Sequence, residues 1–254
     1  MRKSLIAADE PPAVTQFRRD GRSDFVFLVD HASRRIPKSL GQLGLPESEL
    51  VRHIAWDIGA LGVAERVAAS LDATLVAQNY SRLVIDCNRP ASAPSAIPEI
   101  SEITAIPGNA DLDAAEREAR RVAIHAPYHD HIADLLDERA RQGRKTILIA
   151  QHSMTAVYRG SRREMEAAVL YNRDGRFAVA LRDALSDSAG SIVADNQPYA
   201  MTDDSDFTLP VHGEKRGLPH VGIEIRQDLV ETEAGQLLWA DRVASALEIA
   251  RRHF

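Results

Sequence analysis

Cysteine is almost missing from this chain. Cys87 stands alone, so no disulfide can form within the chain, and a reducing, cytoplasmic setting is the expected one. Long apolar runs are missing too: none approaches the roughly 20 residues that a membrane helix needs, and no membrane partner is expected. The opening "MRKSLIAADEPPAVTQ" starts basic, but "LIAA" is its only apolar stretch and acids follow at once, unlike a signal peptide. Positive charge is the minority, with 31 Lys and Arg against 37 Asp and Glu. A surface of that balance does not attract polyanions globally, and no basic-aromatic stripe is present, so nucleic acid is not expected as a partner. The glycine-rich dinucleotide and phosphate-loop patterns are absent, as is the G-x-S-x-G elbow that would give Ser153 a serine-hydrolase context.

What is present reads as one α/β domain. A chain of 254 residues can bury a substantial core without staples. Residues 1–22 are polar and aperiodic and read as an N-terminal arm, leaving 23–254 as the domain. "FVFLV" (25–29) is a short continuous apolar run, as in a strand buried on both faces. Further strands are expected at "ATLVAQ", "RLVIDCN", "KTILIAQ", "AAVLY", "SIVAD" and "HVGIEIR". Helical periodicity runs from Pro46 through "ESELVRHIAWDIGALGVAERVAASLD", over about 111–142, near 175–187 and over 232–252. The alternation predicts a central, mostly parallel or mixed sheet flanked by helices on both faces. Residues 90–110, rich in Pro, Ser, Ala and Gly, form a long loop expected to border a site.

Polar groups gather where such sheets bind ligands, beyond the carboxyl ends of the strands. "FLVDH" ends in Asp30 and His31, "VIDCNR" in Asn88 and Arg89, and "LIAQHS" in His152 and Ser153, while "VGIEIRQD" carries Glu224 and Arg226. Two histidines from separate strand ends with a carboxylate could make a three-ligand zinc site with one open position, the arrangement that activates water. "HAPYHDH" (125–131) offers a competing metal pair in His125 and His129, four apart. Pro127 would disturb a regular helix through His125, and the intervening glutamate of the zinc-protease helix is missing. Cys87, inside "VIDCN", reads as a small core residue rather than a nucleophile. Glu224 alternates with Ile223 and Ile225, so it points away from their apolar face.

The segments "DHASRRIP", "HIAWDIGA", "YSRLVIDCNRP", "IAQHS", "NQPY" and "IEIRQDL" resemble, in that order, the N-formylglutamate amidohydrolase family, over roughly residues 25–230. The resemblance implies an architecture similar to the zinc carboxypeptidases and acyl-amino-acid deacylases, a zinc-exopeptidase-like (phosphorylase/hydrolase-like) fold. It implies hydrolysis of N-formyl-L-glutamate to formate and glutamate, or of another N-acyl amino acid or small peptide by the same chemistry. A metal-independent, non-catalytic small-molecule binding protein is the reading from another class.

Carried over residue by residue, the resemblance makes His31 and His152 the histidine ligands and Asp57 the third, with its neighbour His53 as the alternative. Arg34 stands where the carboxypeptidases have a glutamate ligand. Glu224 resembles the late-strand catalytic glutamate, its alternative being an ion pair with Arg226. Asn88 and Arg89 are assigned to a substrate carboxylate, which arginine's planar fork suits. Arg82 either joins them or pairs with Asp86. Arg226 is a further candidate for the substrate, and His129, within a matching Pro-Tyr-His element, is a site-facing candidate. The expected metal is Zn2+, with manganese, iron or cobalt compatible with the same ligands. The expected partner is a small molecule bearing a carboxylate. The sequence does not set an oligomeric state.

Overall fold

The computed structural model describes residues 4–189 and 192–254. In chain order the elements are β1 (Val14–Phe17), β2 (Phe25–Val29), α1 (Glu47–Leu50), α2 (Ala60–Ser70) and β3 (Thr74–Gln78). A small hairpin, β4 (Ile100–Ser101) and β5 (Thr104–Ala105), leads to α3 (Ala114–Arg120), α4 (Ala126–Arg141) and β6 (Ile147–Met154). A second hairpin, β7 (Val157–Tyr158) and β8 (Ser161–Arg162), precedes β9 (Ala167–Leu170), α5 (Arg176–Ala189) and β10 (Val193–Asp195). The chain closes with α6 (Thr208–His212), β11 (His220–Arg226) and α7 (Glu233–Ala250).

One seven-stranded sheet runs β1-β3-β2-β6-β11-β9-β10. Its four central strands, β3, β2, β6 and β11, are parallel, while β1 pairs antiparallel with β3, β9 pairs antiparallel with β11, and β10 runs parallel to β9. The sheet is therefore mixed and mostly parallel. Alternation along the strands divides the core into two layers. Phe25, Phe27, Ile149, Ile223 and Ile225 pack toward α2, α5 and α7. Val26, Leu28, Leu148 and Ala150 pack the other way, against Tyr128, Ile132 and Leu136 of α4 and Leu209 of α6. No described helix is long and apolar enough to cross a membrane.

Four expectations change. Residues 14–17, inside the segment read as an arm, form edge strand β1 against β3. Four half-buried residues on an edge leave too little pattern to read. "RLVIDCN" is not a strand: β3 is already paired on both sides, by β1 and β2, so no slot remains. Its apolar side chains are still fully buried, and its carbonyls are met by side chains instead, Leu83 by Asn109 and Val84 by Arg120. The helix expected from Pro46 to Asp72 is broken into α1 and α2 by turns. The break falls at Gly59, whose φ of +78° is left-handed, and a Cβ there would lie 2.1 Å from the Val230 carbonyl oxygen. Finally, β6 continues past Gln151 to Met154, which puts His152 within the strand.

The helix carrying "HAPYHDH" accommodates Pro127 by widening. Residues Arg121–His125 form a π-type turn and α4 restarts with the proline in its first turn, where its missing N–H costs nothing.

Candidate metal centre

Three adjacent parallel strands deliver the site. Asp30 and His31 follow β2, His152 lies near the end of β6, and Glu224 lies on β11 in register with His152. Asp57 comes from the turn before α2 and is fixed at both ends of its peptide: its N–H donates to the His31 carbonyl at 3.0 Å and its carbonyl accepts from Ala60 N–H at 3.2 Å.

The geometry converges on one oxygen. Asp57 Oδ2 lies 3.3 Å from His31 Nδ1 and 2.9 Å from His152 Nδ1. Each imidazole faces a buried carboxylate from behind, at hydrogen-bond distance for His31 and at ion-pair distance for His152. His31 Nε2 lies 2.7 Å from Asp86 Oδ1, and His152 Nε2 lies 3.4 Å from Asp30 Oδ2. A carboxylate on Nε2 selects the tautomer that leaves the Nδ1 lone pair free, the arrangement found behind metal-ligating histidines. Asp30 is itself positioned by Tyr128 Oη and Thr208 Oγ1, which donate to its Oδ1 at 2.9 and 2.8 Å. His31, Asp57 and His152, all buried, thus offer one ligand atom each within 4.8 Å of one another.

The charge balance fits a dication. Asp30, Asp57, Asp86 and Glu224 are all at most 5% exposed, and among the described residues Arg82 is the guanidinium that pairs with them, at 2.8 Å from Asp86 and 3.4 Å from Asp57. Burial alone would raise the pKa of Asp57 and Asp86, yet His31 and His152 hold Asp57, and Arg82, His31 and Arg89 hold Asp86, below the ordinary carboxylate range. Burial likewise opposes charge on His152, but Asp30 and Asp57 outweigh it and hold its pKa well above the usual value. Protons on the histidines and a bound cation are alternative ways to neutralise the same carboxylates.

Glu224 behaves differently. Burial, its largest influence, raises its pKa. Tyr199 Oη donates to Oε1 at 2.6 Å, while Oε2 is buried without a hydrogen-bond partner. A desolvated carboxylate with one free oxygen is suited to exchanging a proton with a water or substrate. The alternative pairing with Arg226 is not made. Arg226 Nε binds Asp228 at 2.8 Å and Nη1 binds the carbonyl of Arg163 at 3.2 Å.

These groups open into a cleft of about 660 Å3. Asn88, Arg89 and Arg82 line it with the three ligand candidates and Glu224, and so does the 90–110 loop through Pro98, Ile100 and Glu102. The Asn88 side chain is largely committed, donating to Asp206 at 3.1 Å and accepting the N–H groups of Phe207 and Thr208. Arg82 both pairs with Asp86 and lines the cleft, so its two readings coexist. His53 also lines the cleft but lies 3.6 Å from Glu102, outside the triad.

Two candidates are not brought there. Arg226 braces the segment before β9, and His129 packs behind the cleft, on the Cys87 carbonyl at 2.8 Å and on His212 at 3.1 Å. His125 bonds the Arg89 carbonyl at 3.0 Å. Arg34 is turned to the surface and pairs with Glu47. Three contacts are not foreseen from the sequence: Asp30 and Asp86 behind the histidines, Asp86 being expected only as a partner of Arg82, and Tyr199 on Glu224. The two aspartates stand within the "FLVDH" and "VIDCN" strand-end signals, and Tyr199 within "NQPY", but no spacing rule links them to the histidines.

The family model for N-formylglutamate amidohydrolase matches residues 23–231. The chain belongs to that family. Among solved structures, the family member described here is 41% identical to gene product Atu2144 from Agrobacterium tumefaciens, with a TM-score of 0.95 over 98% of both chains. N-formylglutamate amidohydrolase from Ralstonia eutropha JMP134 shares the fold at 19% identity, with a TM-score of 0.70 over 96% of this chain and 100% of that one. Among curated proteins no sequence matches. As an amidohydrolase of this family, the chain carries a buried cluster of His31, Asp57 and His152 that could hold a metal ion.

Proposed function

We propose that the protein is a zinc-dependent amidohydrolase that cleaves the N-formyl amide of N-formyl-L-glutamate, giving formate and L-glutamate. The observation that carries this reading is the approach of His31 Nδ1 and His152 Nδ1 to one oxygen of Asp57, beside a glutamate whose second oxygen is unpartnered. His31, Asp57 and His152 would hold the ion. Zinc bound there supplies Lewis acidity and makes a water acidic enough to lose its proton near neutral pH.

The chain's own groups do the rest. Glu224 accepts a proton from the attacking water through Oε2, and Tyr199 keeps the carboxylate turned by holding Oε1. Water oxygen adds to the formyl carbon, the carbon–nitrogen bond breaks, and Glu224 returns the proton to the departing amine. Arg82, a quarter exposed, faces the oxygen that gains charge in the tetrahedral stage. Arg89 takes a carboxylate of the substrate through guanidinium donors that remain free in the cleft.

A cleft of about 660 Å3 with exposed apolar surface from Ile100 and Tyr158 also favours a second reading, a longer N-acyl amino acid cleaved by the same groups. Formate release from N-formyl-L-glutamate, measured beside acetate release from N-acetyl amino acids, separates the two. Formate as the faster product supports the formyl substrate; hydrolysis of the longer acyl groups alone transfers the proposal to them.

A further inference from the structure

The outer wall of the cleft carries positive charge that no carboxylate among the described residues neutralises. Tyr158, Arg159 and Arg163, from the β7–β8 hairpin, line it. Among the described residues neither arginine has a carboxylate at ion-pair distance, in a chain whose net charge is −6. Of the acids that line the same cleft, Glu102 pairs with Arg52, Asp206 accepts from Asn88, and Glu224 keeps one oxygen free beside the metal candidates while Tyr199 holds the other. Asp57 and Asp86 are held by the histidines and Arg82.

The two guanidiniums are built into position. Their Cζ atoms lie 5.5 and 5.6 Å from the Tyr158 ring centroid, close enough for the ring to hold both. Arg163 Nη1 donates to the Thr155 carbonyl at 3.3 Å, while Arg226 braces the Arg163 carbonyl from the sheet. Arg159 occupies the first central position of a two-residue turn, with φ +48° followed by Gly160 at φ +81°. Such mirror-image turns favour Asn, Asp or Gly there, because a longer side chain at positive φ is strained. Strain kept at a cleft wall points to use of the side chain.

We propose that Arg159 and Arg163 form an anion subsite on this wall, which binds a carboxylate of the substrate remote from the scissile amide and so selects dicarboxylic over monocarboxylic N-acyl amino acids. This rests on the amide-hydrolase reading above, and it assigns to the hairpin the selection that Arg89 alone would not make.

Two measurements test it. The first is kcat/KM of the zinc-loaded protein for N-formyl-L-glutamate against N-formyl-L-glutamine. The second is calorimetric binding of glutarate against its mono-amide, which needs no turnover. The wild type should favour the dianion by about tenfold, the worth of a charge-assisted hydrogen bond in a half-exposed site. Arg159→Gln combined with Arg163→Gln should level the two ligands, and Arg159→Lys should keep part of the preference. A preference that survives the double substitution, or wild-type protein that binds both ligands equally, overturns the subsite. A glutarate preference lost in the double variant, with no hydrolysis of either formyl compound, supports the subsite and removes the reaction assigned above.

Discussion

His31 Nε2 lies 2.7 Å from Asp86 Oδ1, so the imidazole is oriented by a carboxylate that does not itself reach the triad's centre. Asp86 is also tied to Arg82 and to the Asn88 N–H, which fixes it in turn. Replacing Asp86 by Asn should preserve the shape and lower zinc affinity by about 10- to 100-fold, the range for groups that orient metal-binding histidines. Competition with a chromophoric chelator measures this, and an unchanged affinity would deny Asp86 that role.

Glu224→Gln should leave zinc binding intact and lower kcat by about 10²–10⁴-fold, the usual worth of a positioned proton-transfer group. Tyr199→Phe should cause a smaller loss, because the carboxylate remains but its Oε1 loses its donor. Steady-state kinetics beside metal analysis of each variant checks both. Loss of zinc from Glu224→Gln would make the residue a ligand.

Stability should respond to mild acid through the histidines behind the cleft. Burial, reinforced by neighbouring positive charge, lowers His129 to about 3 and His212 to about 4. Both are therefore neutral in the folded protein, whereas in the unfolded chain they take up protons below about 6.5. For these two groups the unfolded state binds more protons in that window, so the stability they contribute is complete above about pH 6.5 and falls as pH drops toward 4. Each group contributes up to about 1.4 kcal/mol per pH unit. Urea unfolding at pH 7.5 and 5.5 should show the loss in wild type and less of it in His129→Gln.

Gly59→Ala should damage both fold and site. The left-handed φ and the 2.1 Å approach to the Val230 carbonyl oxygen leave no room for a methyl group, and a cost of about 2 kcal/mol or more is expected for such strain. Because Gly59 lies two residues after Asp57, zinc affinity should fall as well. Thermal unfolding and metal titration of the same variant test the link.

The sheet was legible because apolar runs such as "FVFLV" and "HVGIEIR" are short, continuous and bounded by polar residues. The position of Glu224 was legible for the same reason: Ile223 and Ile225 pack in one layer, and period-two alternation sends the residue between them to the other. "RLVIDCN" misled because apolar character reports burial and not a hydrogen-bond partner, and the strands able to receive it were already paired. The places of Asp30 and Asp86 behind the histidines were not legible because their work depends on which imidazole nitrogen they face, a relation between residues 55 apart for His31 and Asp86 that only folding creates. The hairpin arginines Arg159 and Arg163 reach the cleft through a turn whose handedness the sequence "YRGS" hints at only in its glycine.

Hydrolysis should depend on one metal ion held by His31, Asp57 and His152. Zinc titrated into chelator-stripped protein, with bound metal and formate release followed together, tests it most directly. Activity should rise in proportion to zinc and saturate at one equivalent, with His152→Ala losing both tight binding and turnover. Formate release that is indifferent to zinc, or a His152→Ala variant that binds one equivalent tightly and turns over as wild type does, would contradict it.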